Sequence, residues 1–338
     1  MKNGRRTTLA DVAAAAGATV PTVSKVLSGR SDVSDATRAK VMRAVADLGY
    51  EGRSGRGAAR RTARPAMVDL VMSGVEGTWA NRALSGVERA ATAAGVALVV
   101  SVAHRDDDAW LTRLLDRNLR GAVLALVDAT PEQLATLNAA SVPVVLLDPV
   151  TRPPGTVASV GATNWAGGRA AAEHFIGLGH ERLAAVGGQR RHLYSQARID
   201  GFRSAAAEAG VAVREEAVAH TDWRRASAAA HAAALLRREE PPTAVFACSD
   251  TMAAGVYDAA ESLGLRVPED VSVVGFDDLP EGQWLRPSLT TVRQPIVEMG
   301  EAALRMLLRI MADPPETAPG EELATSLIVR ESTAPPKG

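Results

Sequence analysis

The sequence predicts an α/β protein with an N-terminal three-helix, helix-turn-helix head followed by a two-lobed, doubly wound domain. Three observations lead to this fold class. Residues 7–50 contain three short helical patterns with capping residues and a tight turn. Residues 51–65 are rich in Gly and Arg and hold no large apolar residue. From Met67 onward, unbroken apolar runs alternate with alanine-rich stretches, which is typical of parallel sheets covered by helices on both faces.

The head begins with two helices joined by a turn. Thr8 is the predicted N-cap of the first helix, Asp11 is its capping-box partner, and Gly17 ends the helix. Thr19 is the predicted cap of the second helix, which tolerates Pro21 because the first turn of a helix makes no intrahelical use of its N–H groups. This spacing is that of a helix-turn-helix, whose second helix enters the major groove of DNA.

A third helix is predicted from Ser34 to Gly49, so that three apolar faces close one small core. The inward-facing residues of the second and third helices are Val23, Val26, Leu27, Val41, Val45 and Leu48. Residues at the N-terminal end of the second helix face outward, where such motifs contact bases and phosphates. The predicted DNA contacts in the head are Thr8, Thr19, Val20, Pro21, Thr22, Ser24, Lys25 and Arg30.

Residues 51–65 are the predicted linker between a DNA-binding domain over 1–50 and a two-lobed domain over 66–338. The linker holds three glycines, and each costs a helix about 1 kcal/mol relative to alanine, which disfavours a stable helix there. We predict a flexible arm in which Arg53 and Arg56 track phosphates or a narrow minor groove of DNA. The alternative is a solvated linker with little DNA contact.

The charge of the chain is divided unevenly. Residues 1–65 hold 13 Lys+Arg and 5 Asp+Glu, whereas the remainder holds 25 and 34. A basic head favours binding to the phosphate backbone, and the acidic body keeps the rest of the chain away from it. No apolar run reaches the length of about 18 residues that a membrane-spanning helix needs, and no apolar signal core follows the basic start. We therefore expect a cytoplasmic protein without membrane contact.

Seven apolar runs in the body are predicted strands, four before the loop at 153–155 and three after it. This division indicates two lobes. Ligands of open parallel sheets bind at the carboxyl ends of the strands, so two facing lobes enclose a cleft for a small molecule. The predicted strands are 67–72, 96–100, 122–126, 144–147, 183–186, 244–247 and 271–276.

Polar and aromatic residues follow several of these strands or lie near the starts of the next helices. Carboxylates, amides and guanidinium groups bond vicinal hydroxyls in pairs, while an indole covers the C–H face of a sugar ring. The pattern is therefore typical of carbohydrate recognition, although Trp79 and Asp250 could instead serve lobe packing or helix capping. The candidate effector contacts are Trp79, Asp148, Asn164, Trp165, Arg198, Trp223, Asp250 and Asp277.

The chain resembles the lactose-repressor (LacI/GalR) family over about residues 7–332. The matching stretches include 8–13 (TLADVA), 22–27 (TVSKVL), 48–50 (LGY) and 275–278 (GFDD). The resemblance implies a periplasmic-binding-protein-like sensor domain and a symmetric dimer on a palindromic operator. It also implies sequence-specific transcriptional regulation, as a repressor, with a small effector that sets operator affinity. Arg198 and Asp277 match the ligand positions of the family.

One departure from the family lies in the linker. Gly52 and Arg53 stand where the family usually carries a Pro-Asn pair, and no leucine is available for the family's minor-groove wedge. Two functional alternatives stay open. The effector could be a nucleobase, since related sensors resemble sugar and purine binders alike. The protein could also be a ligand sensor that acts mainly through a protein partner.

Enzyme chemistry has no support in the sequence. The pair Gly187-Gly188 follows a strand, but neither a dinucleotide-binding fingerprint nor a P-loop is present. The run 106–108 (DDD) precedes a helix, where carboxylates serve as caps, and Cys248 has no evident histidine partner. We therefore expect no catalytic activity, no cofactor and no metal.

Overall fold

A computed structural model describes residues 7–27, 33–48, 66–104, 108–117 and 119–337. The predicted linker over 51–65 lies outside the described residues, and so do its two predicted DNA contacts and Arg30 of the head. The chain divides into two compact units, Met1–Pro65 and Ala66–Gly338.

In the described part of the first unit, the helices are α1 (Leu9–Ala16), α2 (Val20–Leu27) and α3 (Asp35–Asp47). The predicted capping box is present: the Thr8 hydroxyl accepts from the backbone N–H of Asp11, and the Thr8 N–H donates to the Asp11 carboxylate at 2.7 Å. Gly17 ends α1 with φ 59°, in the left-handed region that glycine adopts without strain. Local sequence thus sets both ends of α1.

The core of the head draws on all three helices. Val12 of α1, Val23 of α2 and Val41 of α3 are fully buried, and the predicted inward positions on α2 and α3 are confirmed at Val23 and Val41. Leu48, in contrast, is exposed, because α3 ends one residue before it. The prediction of a core contact at Leu48 is therefore wrong.

The second unit has two lobes, each built on one sheet. The strands are β1 (Met67–Met72), β2 (Ala97–Val102), β3 (Ala122–Ala125), β4 (Val144–Leu147), β5 (Ala158–Ala162), β6 (Leu183–Gly187), β7 (Val218–His220), β8 (Ala244–Ala247), β9 (Ser272–Asp277), β10 (Thr290–Arg293), β11 (Gly320–Leu323) and β12 (Ser326–Ile328). The helices are α4 (Thr78–Ala94), α5 (Ala109–Asp116), α6 (Pro131–Ala139), α7 (Asn164–Gly177), α8 (Leu193–Glu208), α9 (Arg225–Leu236), α10 (Asp250–Ser262), α11 (Pro280–Trp284) and α12 (Ile296–Ala312).

The sheet of lobe 1 has the order β11-β5-β4-β3-β1-β2, and that of lobe 2 has the order β12-β10-β9-β8-β6-β7. Neighbouring strands are parallel except for the antiparallel pair β10 and β12. Apolar side chains cover both faces of β1: Leu70 packs in the core with α4 and α12, and Val71 packs in a second core with α5. The predicted doubly wound α/β fold is confirmed.

The predicted lobe boundary is wrong. Strand β5 follows the loop at 153–155 but pairs with β4, so it belongs to lobe 1. Within the described residues the chain crosses between the lobes three times, between β5 and α7, between β10 and α12, and between β11 and β12. Two of these crossovers are joined directly, because the Thr325 N–H donates to the Thr163 hydroxyl at 2.9 Å.

All seven predicted strands are present, but β5, β7, β10, β11 and β12 escaped prediction. These strands are short and carry small or polar residues, as in Gly320–Leu323 (GEEL), so they lack the apolar runs that mark the central strands. None of the helices in the described part of the chain has the length and apolar character to span a membrane.

Candidate effector cleft and DNA-binding helix

A cleft of about 630 Å³ lies between the lobes. Lobe 1 lines it with residues that directly follow β1, β3 and β4, namely Ser73, Leu126 and Asp148. Lobe 2 lines it with Ser249 beyond β8 and Asp277 at the end of β9. The cleft is therefore at the carboxyl ends of the strands, where open parallel sheets bind their ligands.

Arg198 of α8 is buried and lines this cleft. Its Nε donates to Oδ1 of Asn164 at 2.7 Å, and its Nη1 donates to the Cys248 carbonyl oxygen at 2.6 Å. Its guanidinium carbon lies 3.6 Å from the ring centroid of Phe276. Hydrogen bonds and an aromatic face together hold this buried cation in one orientation.

Close packing of α7 against α8 places Arg198. A Cβ atom on Gly168 would lie 1.9 Å from the Arg198 carbonyl oxygen, and one on Gly201 would lie 1.9 Å from the Trp165 carbonyl oxygen. Glycine at both positions lets the helix backbones approach this closely. The same packing brings Arg198 against Asn164 at the start of α7.

Two carboxyl groups from different lobes lie near Arg198. Its Nη1 is 3.5 Å from Oδ1 of Asp277, and Asp148 is buried on the other lobe. Burial raises the pKa of Asp277 to about 7 and also raises the pKa of Asp148, while the Arg198 charge opposes both increases. One guanidinium group thus faces two carboxyl groups, and the cluster is neutral when one of the two is protonated.

Gln294 joins these groups and was not predicted. It lies between β10 and α12 and is 1% exposed. Its Oε1 accepts from Nε1 of Trp79 at 3.3 Å and from Arg198, and its Nε2 donates to Oδ2 of Asp148 at 3.1 Å. The sequence around Gln294 (TTVRQP) carries no motif, so it does not by itself indicate a site.

Aromatic rings line the same cleft; they belong to Trp79, His104, Trp110, His192, Tyr194 and Trp223. Trp223 has a φ of 70°, in a region that a bulky residue rarely adopts. A Cβ atom on Gly188 would lie 1.9 Å from Cε2 of Trp223, so glycine at 188 makes room for the indole. His192 and Tyr194 were not predicted as contacts, because they lie at the start of α8 in a stretch without a recognisable motif.

Five of the eight predicted effector contacts line the cleft: Trp79, Asp148, Arg198, Trp223 and Asp277. Asn164 reaches it only through its bond to Arg198. Asn164 and Trp165 line a second cavity of about 650 Å³ beside the start of α7, and Trp165 is 45% exposed there.

Asp250 is not among the residues that line the cleft, although its neighbours Ser249 and Thr251 are. It is buried, its Oδ2 accepts from the Leu279 N–H at 2.6 Å, and its Oδ1 accepts from the Thr291 hydroxyl at 2.6 Å. These bonds tie α10 to β10 and to the loop that follows β9. The position of Asp250 favours the structural alternative that the sequence left open.

The outward side of α2 carries most of the predicted DNA contacts of the head. Thr19 caps α2 by accepting from the Thr22 N–H at 3.3 Å, and the two hydroxyls are 2.8 Å apart. The hydroxyl of Thr8 donates to the Asp11 carboxylate, so Thr8 holds the start of α1. The exposed residues of α2 that were predicted to contact DNA are Val20, Pro21, Ser24 and Lys25.

Comparison with known proteins identifies the family. Residues 8–52 match bacterial regulatory proteins of the lacI family, and residues 172–333 match a periplasmic binding protein-like domain. The HTH-type transcriptional repressor PurR of Pectobacterium carotovorum is 31% identical over 331 residues, which cover 97% of each chain. The PurR repressor of Erwinia tasmaniensis is 31% identical over 332 residues, again covering 97% of each chain.

Solved structures share the fold over nearly the whole chain. A complex of the transcriptional regulator CelR with cellobiose is 32% identical, covers 97% of this chain and 100% of its own, and has a TM-score of 0.74. A lac repressor dimer bound to operator and an anti-inducer is 27% identical, covers 98% and 100%, and has a TM-score of 0.73. A LacI family regulator from Enterococcus faecium with bound ribose is 25% identical, covers 80% and 100%, and has a TM-score of 0.73.

The relatives that match over 97–98% of this chain contain both the helix-turn-helix head and the two-lobed domain. The chain belongs to the lacI family of bacterial regulatory proteins, and it is a DNA-binding transcriptional repressor whose second unit senses a small effector.

Proposed function

We propose that the effector is an uncharged sugar held in the cleft, and that its binding changes the affinity for the operator. The observation that carries the proposal is the polar cluster around Arg198, which shares one cleft with several aromatic rings. Planar polar groups bond adjacent hydroxyls, and indole rings cover the C–H faces of a sugar. A cleft of about 630 Å³ is within the usual size of small-molecule sites.

The charges of the cleft favour an uncharged ligand. Arg198 already faces the carboxyl groups of Asp277 and Asp148, so a charged ligand would add an unpaired charge to a buried cluster. Two related structures point the same way, since CelR is in complex with cellobiose and the Enterococcus faecium regulator holds ribose.

Titration calorimetry on the full chain tests the proposal. The ligands are ribose, glucose and cellobiose, with adenine and guanine as a contrasting class that would stack on the same rings. We expect binding of at least one sugar and none of the nucleobases. Binding of a nucleobase without any sugar would replace the sugar with the nucleobase alternative.

We further propose that the protein acts as a homodimer on a palindromic operator. A single small helix-turn-helix contacts too few bases for useful specificity, so two heads related by symmetry are needed. Trp284 lies on α11 and is 72% exposed. Glu281 of the same helix contacts the hydroxyl of Thr78, which directly follows the loop that carries the exposed Val75. Exposed apolar residues from both lobes therefore offer a surface for a second copy of the chain.

Sedimentation equilibrium tests the dimer. We expect a mass of twice 35.3 kDa, and a shift towards the mass of one chain in Trp284→Glu. Trp165→Glu is the matched control, because Trp165 is also exposed but lies beside the second cavity. A wild-type mass of one chain would contradict the proposal.

In the same proposal, the exposed face of α2 contacts the major groove, and the arginines of the linker contact phosphates or the minor groove. The exposed side chains of α2 support the first part, and the basic composition of residues 51–65 supports the second. A repressor works where the chromosome lies, so we place the protein in the cytoplasm.

A further inference from the structure

Three side chains of lobe 2 form a connected group in the cleft. Nε1 of Trp223 donates to Nδ1 of His192 at 2.9 Å, and the Tyr194 hydroxyl lies 3.2 Å from the same nitrogen. His192 is only 5% exposed, yet it lines the cleft together with Trp223 and Tyr194. The indole of Trp223 is therefore hydrogen-bonded to a buried imidazole in the same cleft.

The rings of Trp223 and His192 lie side by side. Their planes are 11° apart and their centroids are separated by 5.9 Å. An indole N–H and an imidazole lone pair both lie in the planes of their rings, so a hydrogen bond between nearly parallel rings joins them edge to edge. Tyr194 packs near both, with centroids 5.2 Å from Trp223 and 5.5 Å from His192. The hydrogen bond thus joins two aromatic side chains in a nearly parallel orientation.

This geometry specifies the protonation of His192. An indole N–H can only donate, so Nδ1 of His192 has to carry a lone pair. The imidazole is then neutral, with its proton on Nε2. A proton on Nδ1 would set two N–H groups against each other. The Tyr194 hydroxyl does not disturb this assignment, because it can donate to the lone pair or turn away from it.

We infer that His192 is a positioning residue for the effector: in its neutral Nε2–H form, it accepts the indole N–H of Trp223 and holds that ring in the wall of the cleft. Trp223 needs such a restraint because its backbone has a φ of 70°, which few bulky residues adopt. The part that concerns the effector rests on the proposed function, whereas the protonation of His192 and its bond to Trp223 do not.

The hydrogen bond between Trp223 and His192 makes the position of the Trp223 ring sensitive to pH. Protonation of His192 removes the acceptor, so acidification releases the indole of Trp223. Other charged and ionisable groups lie around the cleft, and a control has to separate their effects from that of His192. They are Arg191, Tyr194 and Arg198 on α8 and at its start, Glu76, His104, Asp128 and Asp148 from lobe 1, and Asp277 from β9.

Nuclear magnetic resonance of the full chain tests the inference without any ligand. The protein is labelled with 15N in tryptophan and histidine, and Trp223→Phe assigns one of the five indole signals. We expect Nδ1 of His192 to be unprotonated at about pH 8, and the Trp223 indole proton to exchange with solvent at least about tenfold more slowly than a free indole. The pH is then lowered to the value at which Nδ1 of His192 gains its proton in the same spectra, and this second condition should abolish the protection.

Two variants separate His192 from the other titrating groups. His192→Asn retains an acceptor that cannot be protonated, so the Trp223 indole should stay protected at both pH values. His192→Phe retains a flat ring without an acceptor, so the protection should be lost at both. The other four indole signals report whether each variant is folded.

The inference is overturned if His192 carries its proton on Nδ1 at about pH 8 in the wild type, or if a folded His192→Phe leaves the Trp223 signal unchanged. The wild-type result decides the matter if that variant fails to fold. Neither result depends on the sugar, so the sugar proposal can fail while this inference stands.

Discussion

The side-chain oxygen of Gln294 accepts a hydrogen bond from Nη2 of Arg198 at 3.2 Å. Arg198 belongs to lobe 2, whereas Gln294 lies in the crossover between β10 and α12. The same amide bonds to Trp79 and Asp148 of lobe 1. One buried side chain therefore links cleft residues of both lobes at a segment where the chain passes between them, and a ligand that moves Arg198 or Trp79 acts on that segment directly.

The first prediction concerns this amide. Gln294→Leu should lower the free energy of unfolding by about 1–3 kcal/mol, because it leaves buried polar groups of Arg198 and Asp148 without a partner. Urea unfolding followed by circular dichroism measures the change. Asn138→Leu on the exposed side of α6 is the matched control and should differ little from wild type. Equal midpoints for the two variants would show that the bridge contributes nothing.

The second prediction is a pH dependence of stability. Asp277 has a pKa of about 7 in the folded protein, above its usual 3.8, because it is buried. Between about pH 4 and pH 7 the folded state holds a proton that the unfolded state has released, so stability falls as pH rises in this window, by up to about 1.4 kcal/mol per pH unit.

Asp277→Asn removes this contribution and should make the slope between pH 5 and 7 less negative by up to about 1.4 kcal/mol per unit. Some slope should remain, because the pKa of Asp148 and that of Asp250 are raised by burial in the same direction. Glu215 acts in the opposite direction, since its two arginine partners lower its pKa to about 2 in the folded protein, but its contribution is the same in variant and wild type and cancels in the comparison. Identical slopes in variant and wild type would disprove the assignment.

The third prediction concerns the indole of the cleft. Trp223→Ala should weaken effector binding at least about 30-fold, because a buried aromatic contact of a binding site is worth about 2 kcal/mol or more. Operator affinity without effector should stay as in wild type. Trp165→Ala, outside the cleft, should bind effector normally. A Trp223→Ala protein that is unfolded by circular dichroism would instead assign the ring to the core of lobe 2.

The fourth prediction concerns α2. Lys25 is exposed on this helix, and an ammonium group suits a phosphate contact. Lys25→Ala should weaken operator binding and reduce the slope of log K against log salt by about 0.9. Lys40→Ala removes the same charge from the exposed side of α3 and should change the slope less. Equal effects of both variants would show that Lys25 acts only through the overall positive charge of the head and not through a specific phosphate contact.

The fifth prediction concerns the linker. Replacing Arg53 and Arg56 together by alanine should lower the salt slope of operator binding by about 0.9 for each phosphate contact that is lost. Fluorescence anisotropy with labelled operator at several salt concentrations measures it. An unchanged slope would favour the solvated linker over the arm.

Local patterns carried most of the fold prediction. The capping box of Thr8 and Asp11 involves residues three apart in sequence, and the central strands are apolar runs, so both can be recognised without knowing the fold. Strand β5 escaped because Ala158–Ala162 (ASVGA) mixes small and polar residues. Its omission also displaced the predicted lobe boundary to the loop at 153–155.

The candidate site was predicted less completely, because its contacts join distant parts of the chain. Arg198 and Asp277 were found through their match to a family, whereas Gln294 bonds to Asp148 across 146 residues of sequence. Asp250 shows the opposite difficulty. A carboxylate after a strand looks like a ligand contact, but only the structure shows that both of its oxygens are bonded to Leu279 and Thr291.

The central claim is that an effector in the cleft changes operator binding. Selection of random duplex DNA at about 0.15 M salt should yield a palindrome, and its Kd is then measured with and without a saturating sugar identified by calorimetry. We predict a change of about 5- to 150-fold in wild type, and in Trp223→Ala the same change should need at least about 30-fold more sugar. An operator Kd that is the same with and without bound sugar would contradict the account, and failure to select any sequence would favour a sensor that acts through a protein partner.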